Sequence, residues 1–159
     1  MKYPLFYRWL IMERSTSSDD NTIKLWDIKL GKKIITFKGH KNSVNSFSVS
    51  SDRKQIISCS FDGTIRLYDL KTGKGIRTMK GHRGSVNDVI FSTDGKYVIS
   101  ASDDHTIKLW YIESGKCIKT IELLWIPLKI KEVIGNPGHF ATANANGTIS
   151  FFDFREFLL

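Results

Sequence analysis

The chain has 159 residues, a formal net charge of +8 and 41% hydrophobic residues, a composition that excludes an intrinsically disordered protein. Two cysteines, Cys59 and Cys117, are too few for a disulfide framework. We expect both thiols to be reduced and largely buried, as in a cytosolic or nuclear protein. The first apolar run, from Tyr3 to Met12, is too short for a membrane span and contains Arg8.

The positive charge has two interpretations. Lysine and arginine number 24 against 16 acidic residues, a balance that favours acidic proteins, nucleic acid or anionic lipid as partners. The basic residues are scattered along the whole chain and form no dense run. Such scattering is more typical of a solvated surface than of one electrostatic binding site.

From residue 15 onward the sequence repeats itself every 42 residues. Asp20, Asp62 and Asp104 keep this spacing. The same spacing relates Gly39-His40 to Gly81-His82. It also relates four segment ends: Trp26-Asp27, Tyr68-Asp69, Trp110-Tyr111 and Phe152-Asp153. Three landmarks that share one period indicate a repeat protein.

Each period predicts four short strands. In the second repeat, alternating polar and apolar residues predict a strand over 43–49, and an apolar run predicts another over 55–59. A tight turn at 61–63 leads into a third strand over 64–68, and a turn at 71–73 opens a fourth. The third repeat shows the same pattern at 85–91, 97–101 and 106–110. Four hairpin-connected strands in about 40 residues describe one blade of a β-propeller.

Two segments of the third repeat resemble parts of the blade signature of WD-repeat proteins. Gly81-His82 resembles its opening dipeptide, and its end is resembled by Asp103-Asp104-His105-Thr106-Ile107-Lys108-Leu109-Trp110. The resemblance covers residues 15 to 153. It implies an all-β fold, a partial WD-repeat β-propeller of about three to four blades, each a four-stranded antiparallel sheet. The expected divisions are an atypical N-terminal segment (1–14), a partial blade (15–38), two blades (39–80 and 81–122) and a degenerate, incomplete blade (123–159).

The resemblance also implies a buried hydrogen-bond tetrad of His, Ser or Thr, Asp and Trp in each blade. The third repeat has all four members: His82, Ser100, Asp104 and Trp110. The second has His40, Ser58 and Asp62, with Tyr68 at the Trp position. The first keeps Thr16, Asp20 and Trp26. The fourth keeps only Thr142, and it has Leu124 at the His position, Asn146 at the Asp position and Phe152 at the Trp position. A buried histidine donates from one ring nitrogen and accepts at the other, so Asp and a hydroxyl group can hold it between them.

A set of Ser, His and Asp also invites a hydrolase interpretation. The serines lie inside predicted strands, with no nucleophile elbow and no oxyanion-hole donors around them. The set recurs once per repeat, as a structural element does and a single active site does not. We therefore expect no enzyme activity, no catalytic residues, no cofactor and no metal site.

Partners of WD-repeat proteins usually dock on the propeller face built from the loop after each fourth strand and from the hairpin between the second and third. The resemblance carries this role to Asp19, Lys41, Ser43, Asn45, Phe61, Arg83, Ser85, Asn87 and Asp103. Phe61, a large aromatic at a turn tip, either anchors an interface or packs against a neighbouring blade. Asp19 and Asp103 favour a basic ligand, whereas Lys41 and Arg83 favour an acidic one, and the sequence leaves both open.

We expect a non-enzymatic scaffold for interactions with other proteins or peptides, in the cytosol or nucleus. One alternative is a basic propeller that binds nucleic acid or anionic lipid. Another is the regulatory part of a larger enzyme or ubiquitin-ligase substrate receptor, since Phe152-Asp153-Phe154-Arg155 faintly resembles the Trp-Asp-x-Arg box of cullin-ligase receptors.

Three to four blades leave an open arc with exposed blade faces. We expect the chain to be part of a longer propeller, to pair with a second copy, or to fold residues 5–12 back as the outer strand of the last blade. The abrupt loss of the repeat before residue 15 favours the first expectation.

Overall fold

The structure, a computed structural model, describes residues 10–14, 20–27 and 29–157. In these ranges the regular structure is β apart from a 3-10 turn at Arg155–Phe157, and no helix is long and apolar enough to cross a membrane. The strands are β1 (Leu10–Arg14), β2 (Ile23–Asp27), β3 (Lys32–Phe37), β4 (Val44–Val49), β5 (Gln55–Ser60), β6 (Ile65–Asp69), β7 (Gly75–Met79), β8 (Val86–Phe91), β9 (Tyr97–Ser102), β10 (Thr106–Tyr111), β11 (Cys117–Glu122), β12 (Pro127–Glu132), β13 (His139–Asn144) and β14 (Ile149–Asp153).

The strands form four antiparallel sheets, and each strand pairs with its neighbour in sequence. Sheet one contains β1–β3, sheet two β4–β7, sheet three β8–β11 and sheet four β12–β14. Small meandering sheets joined in series are the blades of a β-propeller. The described residues therefore form a partial propeller of four blades, with four strands in each middle sheet and three in each outer sheet.

The 42-residue period is visible in the backbone of the hairpin that precedes the third strand of each repeat. Asn21, Gly63, His105 and Gly147 occupy the same turn position, with φ angles of 48°, 73°, 63° and 83°. Glycine adopts this left-handed conformation without steric cost, and asparagine tolerates it. His105 adopts it at a cost of about 1 kcal/mol. The turn geometry is therefore kept in all four repeats, whichever residue occupies it.

Sheet one follows the repeat but has a longer hairpin. Arg14 pairs with Ile23, whereas Cys59 pairs with Ile65 in sheet two. The two isoleucines are 42 residues apart but Arg14 and Cys59 are 45 apart, so the hairpin before Ile23 is three residues longer. The boundary expected at residue 15 cuts through this sheet, because a fixed 42-residue comparison is out of register there. Since residues 10–12 pair with β2, they are not the outer strand of sheet four.

The core lies between consecutive sheets. Three clusters of buried apolar side chains fill the junctions between sheets one and two, two and three, and three and four. At each junction the earlier sheet contributes one isoleucine and one leucine from a single strand. These pairs are Ile23/Leu25 on β2, Ile65/Leu67 on β6 and Ile107/Leu109 on β10. The opposing face belongs to the next sheet and carries Tyr68, Trp110 or Phe152. We name the face of a sheet that carries the isoleucine and leucine pair its rear face. The face that carries the aromatic residue is its front face.

Asparagines on the innermost strands also join adjacent sheets. The Asn45 amide on β4 donates to the Ser85 hydroxyl at 2.9 Å and to the Val86 carbonyl at 2.8 Å. Asn87, 42 residues later, donates to the Pro127 carbonyl at 3.1 Å. These bonds repeat with the period and fix sheet two against sheet three and sheet three against sheet four.

The two cysteines differ in exposure. Cys59 is buried in the junction between sheets two and three, as expected. The expectation was wrong for Cys117, which is exposed. The reason is its position on β11, the outermost strand of sheet three, where most residues are open to solvent.

Candidate functional site

The loops at one end of the sheets are held by buried hydrogen-bond networks. Antiparallel strands alternate in direction, so every second loop lies at the same end. The described loop residues at this end, which we name the network end, are 20–22, 38–43, 61–64, 80–85, 103–105, 123–126 and 145–148. The opposite end is the turn end. The predicted partner-binding residues that the structure describes lie in the loops of the network end or in the strands that adjoin them.

In sheet three the four tetrad side chains form one chain of hydrogen bonds. His82 Nδ1 lies 2.8 Å from Asp104 Oδ2, and His82 Nε2 lies 2.7 Å from Ser100 Oγ. Trp110 Nε1 donates to the same Ser100 oxygen at 2.8 Å. An indole N–H can only donate, so Ser100 accepts from Trp110. Burial lowers the pKa of His82 and favours its neutral ring, and because an ionised carboxylate can only accept, Nδ1 donates to Asp104 and Nε2 accepts from Ser100.

Burial and hydrogen bonding set the charges of this network. Burial lowers the pKa of His82 below its ordinary value, although the hydrogen bond to Asp104 acts in the opposite direction. Burial by itself would raise the pKa of Asp104, but hydrogen bonds from Thr106, the Arg83 backbone and His82 outweigh it and bring this pKa to about 2. The carboxylate stays ionised at neutral pH. It accepts the backbone N–H groups of Arg83 at 2.9 Å and Thr106 at 3.0 Å, and so holds two loops together.

Sheet two has the same network with a phenol in place of the indole. His40 Nδ1 lies 3.0 Å from Asp62 Oδ2, and His40 Nε2 lies 2.8 Å from Ser58 Oγ. Burial raises the pKa of the Tyr68 hydroxyl, and its hydrogen bond with Ser58 partly offsets that shift. The Tyr68 ring meets Phe37 of sheet one edge-on, with 5.5 Å between ring centroids. Tyrosine therefore keeps the polar contact of the missing Trp and adds an aromatic contact to the preceding sheet.

Sheet one has a different residue at the serine position. Glu13 pairs with Lys24 at the register position that Ser58 holds in sheet two. Thr16, which the sequence comparison placed there, lies outside the described residues. The three-residue extension of the hairpin explains the mismatch. Asp20 accepts hydrogen bonds from Thr22 and Lys24.

Sheet four has a neutral amide and hydroxyl cluster instead of a histidine network. The Thr142 hydroxyl donates to Asn144 at 3.2 Å. The Asn144 amide donates to the hydroxyl groups of Thr148 at 3.0 Å and Ser150 at 2.8 Å. Leu124, at the histidine position, is 87% exposed. The side chains of this cluster therefore bond to one another, without a side chain from the preceding loop.

Several predicted partner-binding side chains are bonded within the protein. Asn45 and Ser85 join sheets two and three, as described above. Asn87 donates to Asp103 at 2.7 Å in addition to its bond with Pro127. The hydrogen-bonding groups of these side chains serve the packing of the sheets, which moves the candidate surface to the loop tips.

The remaining predicted positions lie nearer the loop tips. Phe61 is 56% exposed, so it is not enclosed between blades. Lys41 and Arg83 donate their backbone N–H groups to the tetrad aspartates and have exposed side chains. Ser43 is half-buried, and its carbonyl accepts the Phe61 N–H at 3.0 Å. Asp19 lies outside the described residues.

Leu124 and Trp125 add apolar surface that the sequence prediction missed as binding residues. They occupy the positions held by histidine and a basic residue in the two preceding repeats. Trp125 is 53% exposed. The adjoining Leu123 N–H donates to the His105 carbonyl at 2.8 Å, which anchors this loop to sheet three. The available signal was the period itself, which places two large apolar residues at loop positions that are polar elsewhere.

The Ser–His–Asp sets have the geometry of structural elements. Ser58 and Ser100 are fully buried, so a substrate cannot reach their hydroxyl groups. Both hydroxyls are already committed to histidine rings. Within residues 10–14, 20–27 and 29–157, no group of three or more His, Cys, Asp or Glu could hold a metal ion.

The tetrapeptide at 152–155 makes contacts within sheet four. Phe154 is buried, and its ring centroid lies 5.5 Å from that of Phe140. Arg155 forms an ion pair with Asp153 at 2.6 Å. The likeness to a cullin-ligase box therefore falls on residues that largely serve the packing of this sheet.

The WD40 family model, described as WD domain, G-beta repeat, matches residues 9–27, 31–69 and 73–111. The matches cover more than half of the chain, and they end at the last residues of β2, β6 and β10. The protein belongs to the WD-repeat family. Domains of this family mediate protein interactions and are generally non-enzymatic scaffolds. The first match begins at residue 9 and so includes β1, in agreement with the pairing of β1 in sheet one.

Proposed function

We propose that this chain is a non-enzymatic scaffold that binds a partner protein or peptide at its network end. The observation that carries the proposal is the exposure of Phe61, Leu124 and Trp125 on loops of that end. Large apolar side chains that remain in water mark interaction sites, and aromatic residues dominate the binding energy of interfaces. These residues are the anchors of the proposed interface.

The hydrogen-bond networks prepare this surface for binding. The Phe61 turn is tied to the preceding loop by Asp62, which accepts from His40 and from the Lys41 backbone. The loop that holds Leu124 and Trp125 is anchored to sheet three through its backbone. Loops that are already ordered lose little conformational freedom on binding, so more of the contact energy contributes to affinity.

The charge around these anchors favours an acidic partner. The exposed basic residues in the loops of the network end are Lys38, Lys41, Lys80 and Arg83. Of the described acidic groups there, Asp62 and Asp104 bond to their histidines and Asp103 to Asn87. Asp20 forms an ion pair with Lys24. Complementary charge guides association and excludes wrong partners. The partner class that this supports is a segment with apolar anchors flanked by Asp or Glu.

Synthetic peptides with a Phe-Leu core test this proposal by fluorescence polarisation. The core is flanked by glutamates, by lysines or by serines, and we expect the glutamate series to bind tightest. Trp125→Ser should weaken binding about 10-fold or more, because aromatic anchors carry much of the affinity. Leu30→Ser is the matched control, since Leu30 is an exposed leucine at the turn end, and it should bind like the wild type.

Equal affinity of the wild type, Phe61→Ser and Trp125→Ser for all three peptide series contradicts the proposal. A single-stranded oligonucleotide and phosphatidylserine vesicles serve as probes for the alternative. Binding to either that falls steeply between about 50 and 200 mM salt, and that Trp125→Ser leaves unchanged, supports nucleic-acid or lipid binding instead.

A further inference from the structure

The rear face of sheet four differs from those of the three preceding sheets. Ile107 and Leu109 on the rear face of sheet three are fully buried by sheet four. Ile149 and Phe151, 42 residues later, are 64% and 73% exposed. The same two positions are buried in sheets one and two. The rear face is therefore covered by the next sheet in sheets one, two and three, and it is open to solvent in sheet four.

The strand register shows what this open face contains. Ala143 pairs with Ile149, and Ala141 pairs with Phe151. Residues in register lie on the same side of a sheet, so these four form one apolar strip across β13 and β14. Both alanines are small, which leaves room above them for a bulky side chain from the surface that docks there.

The three junctions of the chain show which surface covers such a face. Each covering front face presents an apolar residue and an aromatic residue in register. The three pairs are Ile56 with Tyr68, Val98 with Trp110, and Phe140 with Phe152. Bulky aromatic side chains packed on Ile–Leu pairs are therefore the repeated chemistry of the blade junction.

Sheet one carries the same kind of front face. The register pairs Ile11 with Trp26, the counterpart of Ile56 with Tyr68. Trp26 alternates with Leu25, which packs on sheet two, so the two residues lie on opposite sides of sheet one. Trp26 is half-buried, and its buried indole N–H is without a hydrogen-bond partner among the described residues.

We propose that the rear face of sheet four docks onto the front face of sheet one of a second copy of this chain. The contact repeats the packing of the three junctions, with Ile149 and Phe151 against Trp26. Two four-sheet arcs joined at both ends give a ring of eight sheets, within the four to eight blades that propellers commonly have. Both junctions of the ring are the same contact, so the assembly closes as a dimer.

Size-exclusion chromatography with light scattering tests the ring. The wild type should have twice the 18.2 kDa mass of one chain, independent of concentration in the micromolar range. Phe151→Asp places a charge in the apolar junction and should raise the dimer dissociation constant at least about 100-fold. Leu30→Asp alters an exposed leucine at the turn end and should remain dimeric. Circular dichroism verifies that each variant keeps its β-structure.

Trp26→Asp tests the opposite face and should also yield monomers. An equimolar mixture of Phe151→Asp and Trp26→Asp should recover part of the dimer, because each mixed pair retains one unaltered junction. A wild-type monomer, or a mass that grows with concentration, overturns the ring. A dimer that survives Trp26→Asp but not Phe151→Asp overturns the head-to-tail contact.

A cysteine readout keeps the proposal testable if Trp26→Asp does not fold. In a Cys117→Ser background, Phe151→Cys should not form a disulfide between copies, because the two residues lie in different junctions of the ring. Rapid disulfide formation would show rear-to-rear contact and overturn the proposal. Trp125→Ser should leave the dimer intact, so this proposal and the proposed function fail independently.

Discussion

Sheets three and four follow the same period and have different polar interiors. In sheet three, His82 reaches down from the preceding loop to Ser100 and Asp104, and Trp110 completes the network. In sheet four, Leu124 replaces the histidine, and the side chains of Thr142, Asn144, Thr148 and Ser150 bond only to near neighbours in sequence. The register of β13 with β14 and the left-handed turn at Gly147 are nevertheless kept.

The difference separates two contributions to a WD blade. The backbone follows from apolar strand positions and from a turn that accepts a positive φ, and both are present in sheet four. The histidine network is an addition that ties the preceding loop to the hairpin. Where it is missing, Leu124 lies open to solvent at the position of the buried histidine.

The largest expected effect comes from the acceptor of the sheet-three network. Asp104→Ala removes a carboxylate that accepts from His82, Thr106 and the Arg83 backbone, and leaves the buried imidazole N–H only the Thr106 hydroxyl, 3.3 Å away. We expect a loss of about 3 kcal/mol in the free energy of unfolding, measured by urea denaturation. Asn146→Ala at the same position of sheet four should cost less than about 1 kcal/mol, because its bonds to Thr148 are exposed. Equal losses would contradict the distinction between the two sheets.

A smaller effect is expected from pH. The folded-state pKa of His82 is lowered, so the unfolded chain takes up the proton more readily. Stability is therefore full above about pH 6.5 and decreases as the pH falls below that value. The pKa of Asp104 falls from 3.8 to about 2, so its contribution is lost as the pH drops from about 4 to about 2.

Urea midpoints at pH 7.5, 5.5 and 3 separate the two groups. His82→Gln should reduce the decrease between pH 7.5 and 5.5, and Asp104→Asn should reduce the decrease below pH 4. Leu124→Gln is the matched control in sheet four and should leave the pH profile unchanged. If the urea midpoint of His82→Gln decreases between pH 7.5 and 5.5 as much as that of the wild type, a group other than His82 causes the decrease.

The smallest expected effect comes from restoring one member of the missing network. Leu124→His should change the free energy of unfolding by less than about 0.5 kcal/mol, because the position is largely exposed. A single histidine there meets neutral partners, since Asn146 and Phe152 replace Asp and Trp. A gain above 1 kcal/mol, measured by the same urea titration, would mean that the network can form without its aspartate.

The period predicted much of the fold and the residues of both networks. His40, Ser58 and Asp62, together with their counterparts 42 residues later, could be identified because identical strand lengths place them in the same register. The family resemblance supplied their hydrogen-bonded role, and the atomic contacts follow that arrangement. The period also holds at the left-handed turn position, which is Gly63 in sheet two, His105 in sheet three and Gly147 in sheet four.

Other features depend on geometry that a fixed period does not contain. Three extra residues in the first hairpin shift β1, so alignment by number failed before residue 15. The sequence places Asn45 and Asn87 beside the predicted binding loops, but it does not show that their side-chain amides bond to the neighbouring sheet. Leu124 is 87% exposed, whereas His82 at the same position bonds to Ser100 and Asp104, and the period does not contain those contacts.

The pairing of every described strand with a sequence neighbour has a consequence for synthesis. A blade needs no residue made after its own last strand, so each can form as the chain leaves the ribosome. At roughly 5–20 residues per second, 42 residues take about 2–8 seconds. During that interval the newest rear face has no cover, and Ile65 and Leu67 or Ile107 and Leu109 are briefly as open as Ile149 and Phe151. The length of the repeat thus sets how long each nascent blade is vulnerable to wrong contacts.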